Sequence, residues 1–259
     1  MKRLSVLLLA ALLAAASALP AWAKTKAKEK EKDKIDRLSV QYKNKSRDCY
    51  YQIPSDVDPK TPIPAVVLVH NQNNYASQLT KYWHDFAGQQ GFIIIAPESL
   101  TYAEWTGADD GPPFFHACVA AVNKLHPIDP YRLYLFGQRG GGLYAMFMGL
   151  YDANYYAAIA VHGAVMDAAN FSVMKTAPRK IPIGLWMGDR DPMLTVDNAQ
   201  NEESAFKAGG FPFELHVLSF TAGGYEGVAD EVNEQVWEFF QKNPLPGAPA
   251  PAPRAAPAQ

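Results

Sequence analysis

Residues 131–148 read Tyr131-Arg-Leu-Tyr-Leu-Phe136, then Gly137-Gln138-Arg139-Gly140-Gly141-Gly142, then Leu143-Tyr-Ala-Met-Phe-Met148. The first six residues are rich in aromatic and branched side chains, as a strand is, and the last six are apolar residues that suit a helix. Four glycines lie in the six residues between them, and glycine lets a chain bend sharply where a side chain would collide. The stretch therefore predicts strand, tight turn, helix. Its glycines are not spaced GxGxxG, and the strand before them is the fifth of the chain, so a dinucleotide-binding turn is the weaker reading.

Outward from that stretch, short β-prone runs alternate with segments of helical periodicity. This is the pattern of an α/β fold, a mostly parallel sheet with crossover helices on both faces. Eight strands are predicted. Leu38 to Lys43 and Asp48 to Ile53 form an antiparallel hairpin, and Ala65 to His70, Phe92 to Ala96, Tyr131 to Phe136, Ala157 to His162, Ile183 to Met187 and Phe213 to Leu218 follow. Helices are predicted at Ser77 to Gln90, Phe114 to Leu125, Gly141 to Tyr151, Val196 to Ala208 and Asp230 to Gln241. In the last, Val232, Val236, Trp237, Phe239 and Phe240 share one side, which makes Trp237 a core anchor. Ligands bind beyond the carboxyl ends of strands in open sheets of this kind, which singles out His70, the 137–142 turn, His162, the 188–192 loop and the 221–226 loop.

The turn Gly137-Gln138-Arg139-Gly140-Gly141 resembles the G-x-S-x-G nucleophile elbow of the α/β-hydrolases, with arginine in place of the serine. Other stretches extend the likeness. PAVVLVHNQNN (64–74) looks like a third strand and oxyanion loop, GFIIIAPE (91–98) like a fourth strand, IPIGLWMGDRDPM (181–193) like the acid loop, and TAGGYEGVADEVNEQVWEFF (221–240) like the histidine loop and final helix. Together they resemble the secreted polyhydroxybutyrate depolymerase and feruloyl esterase-like branch of that superfamily. The resemblance implies an eight-stranded α/β-hydrolase fold. It also implies a catalytic centre in which Asp191 falls on the acid, Arg139 on the serine and Tyr225 on the histidine, so that two of three catalytic side chains are replaced.

Those replacements bear directly on chemistry. An arginine is all donor and stays protonated far above neutral pH, so Arg139 neither attacks a carbonyl nor relays a proton. Tyrosine, with an ordinary pKa of about 10, is a poor base at neutral pH. Where the resemblance leads one to expect glycines after the histidine, Asn71, Gln72, Asn73 and Asn74 stand instead. They form either a polar loop of no special use or a hydrogen-bonding rim for a polar ligand, with Tyr75, Trp83 and Trp105 as aromatic walls or as ordinary packed rings.

A cation at the start of a helix calls for a negative partner. One expectation is an internal Arg139 to Asp191 ion pair, with or without the Tyr225 hydroxyl, which plugs the centre. The other is a small anionic ligand, a carboxylate or phosphate, held by Arg139, the Gly140 to Gly142 backbone, Asn71 and His70 or His162; either histidine alone reads more simply as a satisfied core residue. No metal spacing links the six histidines, and neither a metal nor another cofactor is expected. Two functions stay open: an inactive homologue that binds or scaffolds, and a carboxylic ester hydrolase with non-standard residues. Ser99, Ser172 and Ser219 are the serines near loops for the latter, though none stands in an elbow.

The ends of the chain carry different signals. Residues 1–23 combine Lys2 and Arg3 with the apolar run Leu4 to Ala16 and end Ala21-Trp22-Ala23, the pattern of a secretory signal peptide. No cysteine precedes Cys49, which excludes a lipoprotein anchor at the cleavage site, while an uncleaved Leu4 to Trp22 is long enough to span a bilayer. The expected destination is periplasmic or extracellular. There, Cys49 and Cys118 either bridge or remain two buried thiols. Lys24 to Arg37 has seven basic and four acidic residues and reads as a solvated linker that touches a membrane surface or merely spaces the domain from it. From Leu38 onward 15 basic residues face 22 acidic ones, which gives no charge-driven attraction to nucleic acid. Six prolines in the last sixteen residues suit a disordered, extended tail over 243–259. The working domain is thus predicted at 38–242; its oligomeric state is left open.

Overall fold

The computed structural model describes residues 34–219 and 224–250. The expected signal peptide, most of the charged linker and the last nine residues of the expected tail lie outside them. The described chain forms β1 (Asp36–Tyr42), β2 (Lys45–Gln52), β3 (Ile63–Val69), α1 (Ala76–Gln90), β4 (Ile93–Pro97), α2 (Gly107–Asp110), α3 (Pro112–Asn123) and β5 (Ile128–Gln138). It continues through α4 (Gly140–Tyr151), β6 (Ile159–His162), a 3-10 helix (Ala168–Lys175), β7 (Ile183–Gly188), α5 (Val196–Ala208), β8 (Phe213–Leu218), a 3-10 turn (Tyr225–Gly227) and α6 (Ala229–Lys242).

The eight strands make one sheet in the order β1-β2-β4-β3-β5-β6-β7-β8. β1 pairs antiparallel with β2, β2 antiparallel with β4, and every later pairing is parallel. Alternation along the strands feeds two cores. Ala65, Val67 and Val69 of β3 pack on the face covered by α3, α4 and α5, while Val66 and Leu68 pack on the face covered by α1 and α6. That double cover is why β3 and β4 are apolar without interruption. Trp237 stacks on Phe92 at 4.2 Å in the second core.

β5 begins at Ile128, three residues before the predicted start. Ile63 already pairs with Ile128, and a register shift follows before Ala65 meets Leu133. Pro130, which has no N–H to donate, falls in that irregular stretch, where a ladder tolerates it. The short helix α2 and the 168–175 3-10 helix had no periodicity to announce them. Cys49 of β2 and Cys118 of α3 are joined in a disulfide with Cα atoms 6.1 Å apart, which decides between the two states left open by the sequence. The first residues beyond α6 are held on the domain: the Leu245 N–H donates to Tyr131 O at 2.9 Å, and Leu245 packs against the second core.

Candidate functional site

The turn after β5 is tight because α4 starts almost against the end of β3. A Cβ on Gly137 would meet Gly141 O at 2.5 Å, and one on Gly141 would collide with the backbone carbonyls of Val69 and His70. Arg139 occupies the bend at φ 52° and ψ −124°. A positive φ in a non-glycine residue away from the left-handed minimum costs on the order of 1–3 kcal/mol and persists only when its surroundings enforce it. Two backbone hydrogen bonds do so, from Arg139 N–H to His162 O at 2.9 Å and from Leu143 N–H to Arg139 O at 3.0 Å.

The Arg139 side chain runs across Gly163, where a Cβ would meet its Nε at 3.1 Å. Its Nη1 ends 2.7 Å from Asp191 Oδ2. Among the described residues Asp191 Oδ2 accepts no aligned hydrogen bond, so the contact is an ion pair held by charge and proximity and not by an in-line N–H···O bond. The other carboxylate oxygen, Oδ1, accepts the N–H groups of Met193 at 2.9 Å and Leu194 at 3.2 Å. The Asp191 side chain is fully buried, and that of Arg139 is 20% exposed.

Tyr225 does not join the pair. Its ring packs on Phe136 and Tyr82, and its hydroxyl donates to Asn233 Oδ1 on α6, whose amide in turn donates to Tyr82 O at 2.7 Å. Complete burial pushes the Tyr225 hydroxyl well above the usual tyrosine range, so it is a neutral donor built into the second core. The expected third member of the plug therefore points at a helix instead. Residues 220–223, just before it, lie outside the described residues.

His162 takes the nearer place. Its ring centroid lies 5.2 Å from that of Tyr225, its side chain is buried, and among the described residues neither ring nitrogen has a hydrogen-bond partner. Burial first, then the Arg139 charge, bring its pKa down to about 4, leaving it a neutral imidazole. His70 is fully engaged: Nδ1 faces Asn71 O at 2.8 Å, Nε2 faces Glu98 Oε1 at 3.1 Å, and its carbonyl accepts Trp105 Nε1–H at 2.8 Å. The other carboxylate oxygen of Glu98 accepts the Ala76 N–H at 3.1 Å, so this histidine ties the end of β3 to the start of α1.

The amide loop closes the remaining corner. In the α/β-hydrolase fold the N–H of the residue after the bend is one donor of the oxyanion hole. Here the Gly140 N–H donates to Asn71 Oδ1 at 3.2 Å. Gln72 lies over the same residue, where a Cβ on Gly140 would meet its side chain at 2.7 Å. Of the aromatic residues expected to wall the rim, Trp83 and Trp105 are buried while Tyr75 is exposed. Among the described residues no three His, Cys, Asp or Glu side chains gather as a metal site requires. Ser99 is buried with its hydroxyl on Thr101 O at 2.7 Å, and Ser172 and Ser219 are exposed.

Strand order, elbow and double helical cover define the α/β-hydrolase fold. No family model matches the chain. Solved structures of that fold superpose on it: Thermogutta terrifontis esterase 2 phosphorylated by paraoxon, with a TM-score of 0.67 and 16% identity over 85% of this chain and 96% of that one, and FphF, a fluorophosphonate-binding serine hydrolase of Staphylococcus aureus, with a TM-score of 0.66 and 11% identity over 80% of this chain and 98% of that one. The bifunctional acetylxylan esterase/xylanase XynS20E of Neocallimastix patriciarum is 25% identical over 157 residues, 60% of this chain and 23% of that protein. The chain thus spans under a quarter of that curated relative, and at these identities the structural likeness establishes the fold alone.

Proposed function

We propose that this protein is an exported, catalytically inactive member of the esterase-like α/β-hydrolases, related to the polyhydroxybutyrate depolymerase and feruloyl esterase-like proteins, that acts by binding or scaffolding. The carrying observation is the Arg139–Asp191 ion pair across the elbow, 2.7 Å from Nη1 to Oδ2. It puts a permanent cation where an attacking hydroxyl would stand and occupies the carboxylate that would orient a histidine. The capped Gly140 N–H supports the same reading, because an oxyanion donor already in use stabilises no developing charge. Loss of the nucleophile or the base of such a unit typically costs on the order of 10⁶ in turnover, about 8 kcal/mol of transition-state stabilisation. The residue pattern of 1–23 supports export.

The test is labelling by a serine-reactive fluorophosphonate together with hydrolysis of short nitrophenyl esters, and both should be absent. Labelling that disappears when Ser172 or another serine is replaced would instead establish a hydrolase with relocated machinery. The double variant Arg139→Ser, Tyr225→His should stay inactive as well, because Asn71 still caps Gly140 and position 225 faces Asn233. Nitrophenyl ester turnover by that variant would show the oxyanion corner to be open.

A further inference from the structure

The two edges of the sheet are unlike. β1 carries Asp36 and Arg37, is preceded by Lys34 and turns at Lys43 and Lys45, and charges of this kind discourage an incoming strand. β8, Phe213–Leu218, is the opposite edge. It has no lysine, proline or bulge, and all six residues stay in register with β7.

Its backbone phase follows from the two ends of the ladder. Ile183 N–H donates to Pro212 O at 2.9 Å, and Asp189 N–H donates to Leu218 O at 3.0 Å. In a parallel ladder of that register, residues 212, 214, 216 and 218 turn their peptide groups toward β7, and Phe213, Leu215 and Val217 turn theirs to the open edge. Nothing among the described residues pairs with them. Val217 is 39% exposed, and a groove of about 590 Å³ runs beside the strand, lined by Leu215 to Ser219 and by Glu231 and Gln235 of α6.

We propose that β8 pairs antiparallel with β8 of a second copy of this chain about a two-fold axis at Leu215. An antiparallel pair exchanges hydrogen bonds only between residues whose peptide groups face outward. A two-fold at Leu215 places Leu215 opposite itself and Phe213 opposite Val217, so all three outward residues take part. It also sets Glu214 of each copy opposite His216 of the other. A two-fold at Glu214 would oppose two carboxylates, and like charges directly opposite one another disfavour a pairing, while one at His216 would oppose two imidazoles and leave neither facing a carboxylate. The electrostatics therefore select one register of the three. His216 is already fixed for it, stacked on Trp186 at 4.5 Å and 3.2 Å from its own Glu214, and Glu231 adds a carboxylate on the groove wall.

Sedimentation velocity on the full chain tests this over a concentration series. The wild type should move from monomer to dimer. Val217→Pro removes an N–H that β7 does not use, so it should keep the far-UV circular dichroism and weaken the dimer at least tenfold. Glu214→Lys and His216→Glu should each be monomeric alone and form a dimer when mixed, because of these only the mixed pair sets a nitrogen donor opposite a carboxylate at both positions. A wild type that stays monomeric at high micromolar concentration overturns the proposal. So does a Val217→Pro dimer of unchanged strength, or charge variants that fail to recover on mixing.

Discussion

Two arginine–carboxylate pairs can be set side by side, one beside β2 and one at the turn after β5. Arg47 Nη2 lies 2.6 Å from Asp110 Oδ1, and both side chains are buried. The guanidinium also donates to the Asp109 and Glu98 carbonyls at 2.8 Å each and sits 3.9 Å over the Phe114 ring. Asp110 in turn accepts Leu100 N–H and Thr106 N–H, both at 2.9 Å. This network fastens the segment from Glu98 to Asp110 to the hairpin. Arg139 and Asp191 are nearly as close, but their pair lacks an aligned hydrogen bond, is partly open to water on the arginine side, and spans a strained bend. The first arrangement is a satisfied structural clamp. The second bridges the turn after β5 to the loop after β7. Similar distances can therefore accompany quite different contributions to stability, because burial and the residual solvent decide them.

The largest effect that would sharpen this contrast is expected at Arg47. Arg47→Ala leaves Asp110 charged and buried, and should cost about 3–5 kcal/mol in urea unfolding. A third acidic residue extends the comparison. Glu202 on α5 is buried, and burial, only partly offset by the Met166 backbone N–H beside its carboxyl, raises its pKa from 4.5 to about 8. Because the folded value lies above the unfolded one, its contribution is fully present below about pH 4.5 and is lost as pH rises through about 8. Glu202→Gln should flatten that part of the stability profile, a change on the order of a few kcal/mol between the two ends of the window. Arg139→Ser should have the smallest effect, about 1–2 kcal/mol by the same unfolding measurement, since the arginine side of that pair is already open to water, which can reach Asp191 once the side chain is shortened. A loss at Arg139 as large as that at Arg47 would mean that both pairs are clamps.

The sheet was legible in the sequence because its signals are local: β-branched runs for strands, glycines for the bend, one apolar stripe for α6. Arg139 was conspicuous for the same reason, standing inside a turn of glycines. Arg47 and Asp110 are 63 residues apart with nothing nearby in sequence to mark either, so their network was invisible. The Asn71 cap on Gly140 was equally hidden, since a polar loop does not reveal which N–H it will satisfy. Tyr225 misled because its place in the motif suggested the pocket, whereas the hydroxyl meets Asn233 within the core. Glu202 reads as a surface residue of an amphipathic helix until α5 is seen packed on the sheet.

The bond between Cys49 and Cys118, 69 positions apart, closes a ring that contains β3, α1 and β4. Pulled from its two termini, the oxidised chain would surrender only what lies outside the ring. About 230 Å of contour, at 3.3 to 3.6 Å per residue, stays out of reach of the force. The lobe that carries His70 and the amide loop is thus shielded from mechanical extension in a way that the Asp191 loop and α6 are not.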